Sequence, residues 1–312
     1  MRMLENFAVI GGGSWGTALG CLMARTFGGV FLYMLEEKIV NEINNKHQNS
    51  KYLGDVILPS GVRATARIKD ITASDVIILA VPSHAFAAVL LQLKQAGLAE
   101  NTILLVATKG LCENPVQFFS SKIESEFDNP YAFISGPNFA KEVAEDKFTA
   151  VTISSKDASL AKVLAARLAS AQLATTFSTD IITIQIAGIV KNIAAIKSGI
   201  MQAEGAGENA RAWLLSRALE DIAVISKALG GNAETLTLPA VIGDLILTCY
   251  STTSRNTKFG YEFYRSNYSR EFLDNYPTLV EGVSSARLLK RFLKEHNLEL
   301  ELPIVSSIAD IV

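Results

Sequence analysis

Hydrophobic positions along the chain fall into two regimes. Up to about residue 178, short runs of contiguous apolar residues alternate with stretches in which apolar positions recur every three or four. The short runs predict strands at Phe7–Ile10, Val30–Leu35, Val76–Val81, Ile103–Ala107, Tyr131–Ser135 and Ala150–Ile153. Several are apolar without alternation, as in parallel strands covered by helices on both faces. A strand–helix–strand rhythm of this kind predicts a doubly wound, mostly parallel α/β sheet. From Thr179 the strand signal stops, and helical periodicity runs through Ile181–Gly199, Ala210–Leu229, Val241–Leu247, Phe259–Tyr264 and Ala286–His296. The chain thus divides into an α/β domain over 1–179 and an all-α domain over 180–312, with Ser178 or Thr179 placed to cap the first helix of the second. A length of 312 residues also suits two domains better than one. The last residues read as one more amphipathic stretch, which a short tail beyond Val312 would complete.

The first strand runs directly into Gly11-Gly12-Gly13-Ser14-Trp15-Gly16, and a helical pattern over Thr17–Arg25 follows. This is G-x-G-x-x-G in the context that gives it meaning. Gly11 permits the tight turn, Gly13 lets a pyrophosphate approach the backbone, and Gly16 lets helix and strand pack closely. The helix start offers free N–H groups and partial positive charge to the diphosphate. A dinucleotide-binding Rossmann domain is the expectation; a glycine-rich turn without ligand is the alternative. About 20 residues on, the second strand ends at Leu35-Glu36-Glu37, where an acidic side chain can accept from the ribose 2′-hydroxyl. Those glutamates can equally be a solvated helix start. With no Arg or Lys at the strand end and Lys38 the nearest cation, the pattern favours NAD over NADP.

Candidate chemistry lies at strand ends and in the helical part. Val81-Pro82-Ser83-His84 ends one strand, and His84 is either an acid–base group or a helix-start residue beside the cofactor. Ala107-Thr108-Lys109-Gly110 ends the next; Lys109 can place an ammonium over an anionic or carbonyl oxygen, or be an ordinary loop lysine. Ser135-Gly136-Pro137-Asn138-Phe139-Ala140 is a turn able to offer backbone N–H groups. In the helix from Ile181, an apolar stripe of Ile182, Ile186, Ile189, Ile193, Ile196 and Ile200 is joined by a line of Gly188, Lys191, Asn192, Ala195 and Gly199. A lysine in so apolar a helix is costly to bury unless paired, and burial lowers its pKa toward values useful for proton transfer. Lys197, nearer the helix end, is expected to reach solvent. Asp244 stands in the apolar Leu238–Cys249 and wants a partner, which Lys191 can be. Ser254-Arg255-Asn256 precedes a short helix and gathers hydroxyl, guanidinium, amide and helix N–H groups, a set suited to a phosphate dianion or simply an N-cap beside a surface arginine.

Composition narrows the classes. Net charge is −2 with both signs interspersed, so no basic face for nucleic acid is expected. Uninterrupted apolar runs are far shorter than the roughly 20 residues of a membrane helix, and no basic segment precedes an apolar leader. A cytoplasmic protein follows. Cys21, Cys112 and Cys249 have no paired metal spacing, so reduced buried thiols and no metal site are expected.

Taken together, GGGSWGTAL, VPSHAF, ATKGL, SGPNFAKEVA, GIVKNIAAI, GAGENAR, GDLILTC, SRNTKFG and VEG occur in an order and spacing that resembles the bacterial-type NAD(P)-dependent glycerol-3-phosphate dehydrogenases over essentially the whole chain. The resemblance implies reversible reduction of dihydroxyacetone phosphate to sn-glycerol 3-phosphate, feeding glycerophospholipid synthesis, with NAD or NADP as cofactor and a homodimer as an open option. It implies that Gly11, Gly13, Ser14, Trp15 and Gly16 line the dinucleotide, and that Lys109 touches cofactor and substrate. It makes Lys191 the catalytic acid/base. Gly136, Asn138, Asp244, Ser254, Arg255 and Asn256 would hold substrate, and Ala140, Arg255, Leu279 and Glu281 would contact the cofactor. Asn138 departs from the family's usual Ser or Thr, and Leu35 stands where NADP-using members often carry His or Arg. Two rivals share parts of the pattern: β-hydroxyacid or 6-phosphogluconate dehydrogenases, and a non-catalytic dinucleotide sensor.

Overall fold

The computed structural model describes residues 4–251 and 253–312. The chain forms two compact units, one over 1–108 with 120–179 and the other over 109–119 with 180–312. The segment from Lys109 to Phe119, which a single cut after Thr179 leaves in the first part, packs as part of the helical unit.

The first unit is built on one eight-stranded sheet. Its strands are β1 (Phe7–Ile10), β2 (Val30–Tyr33), β3 (Val62–Thr65), β4 (Val76–Leu79), β5 (Ile103–Val106), β8 (Tyr131–Ser135), β9 (Thr149–Ser154) and β10 (Leu173–Ser178), β6 (Cys112–Glu113) and β7 (Val116–Gln117) being a separate antiparallel pair in the other unit. The order is β10-β9-β8-β5-β4-β1-β2-β3. From β3 to β8 all pairings are parallel; β9 runs antiparallel to β8 and carries β10 with it. The parallel part, 3-2-1-4-5-8, is the order that reverses between β1 and β4 and places ligands beyond the strand ends there. β1, β4 and β5 are buried at every position, which is why their sequences are apolar without alternation. Helices α1 (Ser14–Phe27), α2 (Glu37–Lys46), α3 (Ser50–Leu53), α4 (Phe86–Ala96), α5 (Phe119–Glu124), α6 (Ala140–Ala144) and α7 (Ala158–Leu168) connect the strands. Leu35, Val81 and Ala107 extend the apolar runs but lie beyond the strands, where the chain turns toward the ligand edge.

The second unit is organised around α8 (Ile181–Ala203). Its cap is Asp180 rather than Ser178 or Thr179: the Asp180 carboxylate accepts from the Thr183 N–H at 2.9 Å, while Ser178 still belongs to β10. α8 is long and apolar enough to cross a membrane by length and composition, contrary to the apolar-run count, but it is almost wholly buried in its unit. Ile186, Ile189, Ile193, Ile196 and Ile200 are all buried, each worth about 1.5–3 kcal/mol of transfer free energy. Around it lie α9 (Glu208–Ala228), α10 (Asp244–Tyr250), α11 (Arg255–Arg265), α12 (Arg270–Asp274), α13 (Glu281–Glu295) and α14 (Pro303–Ala309). Small residues set the closest approach. A Cβ on Gly199 would meet the Thr257 carbonyl oxygen at 1.9 Å, and one on Gly260 would meet that of Ile196 at 2.0 Å, so α8 and α11 touch backbone to backbone.

Candidate active site

In the first unit, the loop after β1 has the geometry its glycines require. Gly11 has φ +116°, and a Cβ there would collide with the Ala80 carbonyl; one on Gly16 would sit 1.8 Å from the Gly11 oxygen. Gly13, in contrast, faces open space. It is the N-cap of α1 and contributes no side-chain cap, so the first N–H groups of the helix, from Ser14 onward, have no partner within the helix. An anion-binding cradle with room for a phosphate fits these features. Ser14 Oγ donates to the Tyr52 carbonyl at 2.9 Å, and Trp15 packs half-buried against the core.

The turn after β8 is more committed than its sequence suggests. A Cβ on Gly136 would meet the Ala150 oxygen at 2.1 Å, so glycine is needed for β9 to pass. Asn138 Nδ2 donates to Thr149 Oγ1 at 2.5 Å and to the Ala150 carbonyl at 3.0 Å, while its buried Oδ1 has no partner among the described residues. The amide therefore ties the loop to β9 and leaves only an acceptor unspent. Ala140 opens α6. His84 is exposed in the turn that follows β4.

In the second unit, three charged side chains meet. Asp244, at 2% exposure, stands between two ammonium groups: Lys191 Nζ lies 2.6 Å from Oδ1 and Lys109 Nζ 2.5 Å from Oδ2. A wide helical turn over Pro239–Gly243 feeds into α10 and brings Asp244 to its first position, facing α8. Thr248, one turn on, receives a hydrogen bond from Lys191 Nζ at 3.2 Å and donates to Asp244 Oδ1 at 3.2 Å. Lys109 lies across Gly188, where an added Cβ would come within 3.2 Å of its Cγ. The line of small residues on α8 is therefore room for a lysine and for neighbouring backbone.

Burial pushes the Lys191 pKa down, to about 8; Asp244 opposes the fall and the Lys109 charge adds to it. Burial alone would raise the Asp244 carboxyl, but Lys109 and Lys191 outweigh it and hold it below the usual carboxylate range. The trio is thus a buried carboxylate fixed in its charged form beside a lysine able to give up a proton near neutral pH.

At the start of α11, Ser254 is the N-cap and its Oγ accepts from the Thr257 N–H at 3.3 Å. The Arg255 side chain is exposed, with no hydrogen bond or ion pair among the described residues. Asn256 is buried and engaged at both ends: Nδ2 donates to Asn192 Oδ1 at 3.0 Å and Oδ1 accepts from the Gly282 N–H at 3.0 Å. It bolts α8, α11 and α13 together, which the sequence alone did not indicate. Leu279 is exposed, and Glu281 opens α13. The sequence marked Lys109, Lys191 and Asp244 and offered Lys191 as the partner of Asp244; the structure brings all three together. The sequence left Thr248 unmarked, although it stands a four-residue step after Asp244, and placed Gly188 and Asn192 on the small-residue line of α8 without giving either a role.

Glu36 is also not as the sequence suggested. Lys51 Nζ lies 2.6 Å from its Oε2, so a cation does stand at the end of β2, brought there by α3.

Comparisons with known proteins identify the family. Residues 6–161 match the family described as NAD-dependent glycerol-3-phosphate dehydrogenase N-terminus, and 180–312 match its C-terminus. A Rickettsia bellii protein named glycerol-3-phosphate dehydrogenase [NAD(P)+] is 44% identical, with both chains covered in full. A crystal structure of glycerol-3-phosphate dehydrogenase from Coxiella burnetii superposes with TM-score 0.89 at 31% identity, covering 98% of this chain and 94% of the other. The Plasmodium falciparum enzyme, at 23% identity and TM-score 0.88 over 98% and 90% of the two chains, shares the fold. With both family segments matched in order and nearly the whole length accounted for, the chain belongs to the NAD-dependent glycerol-3-phosphate dehydrogenase family.

Proposed function

We propose that Lys191, positioned by Asp244 and Lys109, is the acid that protonates the substrate oxygen when this enzyme reduces dihydroxyacetone phosphate, and the base in the reverse direction. The chain is an NAD(P)-dependent oxidoreductase that interconverts dihydroxyacetone phosphate and glycerol 3-phosphate. The full-length match sets aside the hydroxyacid and 6-phosphogluconate alternatives. When bound, the nicotinamide supplies or accepts the hydride. Everything else falls to the chain's own groups. As hydride reaches the ketone carbon, the oxygen gains charge; a Lys191 ammonium stabilises it and passes its proton to it, leaving the neutral amine. In the oxidative direction the neutral amine takes that proton from the hydroxyl. A pKa near 8 populates both forms around neutral pH, the condition for efficient transfer either way.

Arg255, the Ser254 hydroxyl and the α11 N-terminus suit the phosphate, because a guanidinium with no partner among the described residues and a helix start favour a dianion. Lys109, Asp244 and Asn256 complete the substrate set, Asn256 chiefly by holding α11 in place. Gly136 and Asn138 would present backbone and Oδ1 to ligand. The loop from Gly11 to Gly16, with Ser14 and Trp15, would hold the dinucleotide, with Ala140, Leu279 and Glu281 as further contacts. We place the activity in the cytoplasm, where the free thiols Cys21, Cys112 and Cys249 are stable.

The observation that carries this is the Lys191–Asp244–Lys109 trio. A spectrophotometric assay of NADH oxidation tests it. Dihydroxyacetone phosphate should turn over, and dihydroxyacetone at equal concentration should be slower by roughly 10- to 100-fold, the value of a lost charged contact. Equal rates would remove the phosphate from the account.

A further inference from the structure

Beyond β2, Glu36 precedes α2, and Leu35 beside it is exposed. The Glu36 carboxylate is held by two donors from α3: Lys51 Nζ at 2.6 Å from Oε2 and the Tyr52 hydroxyl at 2.9 Å from Oε1. The Lys51 ammonium also lies 4.9 Å from the Tyr52 ring centroid. Both donors hold Glu36 below the usual carboxylate range. α3 is itself fastened to the glycine loop. Asn49 Nδ2 donates to the Gly12 carbonyl at 3.0 Å and to Thr17 Oγ1 at 2.8 Å, and Ser14 donates to the Tyr52 carbonyl at 2.9 Å. The backbone that carries Lys51 is therefore registered to the loop that would hold the diphosphate.

An acid at this position reads the ribose 2′-hydroxyl, and alone it would repel a 2′-phosphate. Here it is not alone. The Lys51–Glu36 pair is exposed on both sides, at 54% and 46%, so it is weak and readily exchanged. A phosphate dianion carries more charge and more acceptor oxygens than a carboxylate. Arg67, beyond the end of β3, pairs with Asp70, whereas Lys51 is the cation already seated on Glu36.

We propose that Lys51 determines cofactor tolerance: it stays on Glu36 when the ribose carries a 2′-hydroxyl, which Glu36 accepts from, and leaves Glu36 for the 2′-phosphate of NADPH. This rests on the reading of the first unit as the dinucleotide site. A bare acid in this place specifies NADH; an acid with an exchangeable ammonium admits both cofactors.

The test uses nucleotide binding as well as turnover. Wild type, Lys51→Met and the control Lys38→Met are titrated with 2′,5′-ADP and with 5′-AMP, and kcat/KM is measured with NADPH and NADH. Lys51→Met should weaken 2′,5′-ADP roughly tenfold while 5′-AMP moves less than about threefold. The ratio of kcat/KM for NADPH to NADH should fall by a similar factor, and Lys38→Met should change neither. Glu36→Gln should move the ratio the other way. Equal effects of Lys51→Met on both nucleotides, or the same loss in Lys38→Met, overturn the proposal. Failure of wild type to bind either nucleotide overturns the dinucleotide reading itself, and the proposal with it.

Discussion

Replacing Asp244 by Asn keeps the side chain's shape and removes one negative charge from between two ammonium groups. The carboxylate is the one influence on Lys191 that opposes burial and the Lys109 charge. A hydrogen bond to a charged group is worth about 1.5–3 kcal/mol. Its loss lowers the Lys191 pKa further below about 8; at 1.36 kcal/mol per pH unit the limb of the kcat profile should move down by roughly one to two pH units. At pH 7 the acid form, most of the enzyme in wild type, then becomes the smaller share. Reduction of dihydroxyacetone phosphate should slow at pH 7 and recover toward pH 6, with the limb of the kcat profile moved to lower pH. Stability supplies a second reading with a definite sign. A lysine whose pKa is lower folded than unfolded binds fewer protons when folded, so its contribution to stability rises with pH from the folded value up to about 10.4. In wild type that window opens near 8, and in Asp244→Asn it opens lower. The variant's deficit in Tm should accordingly be largest near pH 6 and shrink by pH 9. The assays are steady-state kcat from pH 5.5 to 9.5 and thermal denaturation over the same range. An unmoved profile with kcat at pH 7 within about twofold of wild type would show that Asp244 does not set the lysine's charge.

Three further outcomes follow from other contacts. Arg255→Ala should raise KM for dihydroxyacetone phosphate by roughly 10- to 100-fold and barely alter the slow rate with dihydroxyacetone; equal loss on both substrates would assign Arg255 to the cofactor or the fold. Arg211, which donates to the Tyr250 carbonyl at 3.0 Å and stacks 4.4 Å from the Tyr250 ring, closes the end of α10; Arg211→Ala should lower Tm by about 4–8 °C, read by calorimetry. Asp221 is buried and accepts from the Ile304 and Val305 N–H groups at the start of α14, and burial raises its pKa to about 6. A carboxyl that holds its proton more tightly when folded loses stability as pH rises from about 4 to 6, so Asp221→Asn should flatten that part of the Tm–pH curve.

The parts of the fold that were legible are those where one local signal dominates. β1, β4 and β5 are four-residue runs buried at every position, and their shortness, β-branched content and flanking turn residues mark them as covered strands. β3, Val-Arg-Ala-Thr, has an exposed arginine in a short run, and β10 is a threonine-rich edge strand with two exposed positions; neither has an apolar run to announce it. Lys191 and Asp244 were legible for the opposite reason: each is a charge where the surrounding pattern is apolar, and such a charge needs a partner. That Lys109 is the third member depends on the Lys109–Phe119 segment joining the helical unit, which no local pattern encodes. Glu36 and Lys51 are 15 residues apart, and only the packing of α3 against the glycine loop brings them together. Asn256 was marked as a substrate residue by its place at a helix start; that its amide also joins α8 to α13 depends on packing that no local pattern encodes.

The central claim is that Lys191 carries the proton, and single-turnover hydride transfer in Lys191→Ala tests it most directly, alongside NADH fluorescence titration. Lys197→Ala, on the same helix and outside the trio, is the control. Rapid mixing with dihydroxyacetone phosphate should show hydride transfer slowed by roughly 10²–10⁴-fold in Lys191→Ala, with NADH affinity unchanged and Lys197→Ala close to wild type. A Lys191→Ala enzyme that retains more than about a tenth of the wild-type rate, with NADH bound as tightly, would contradict it.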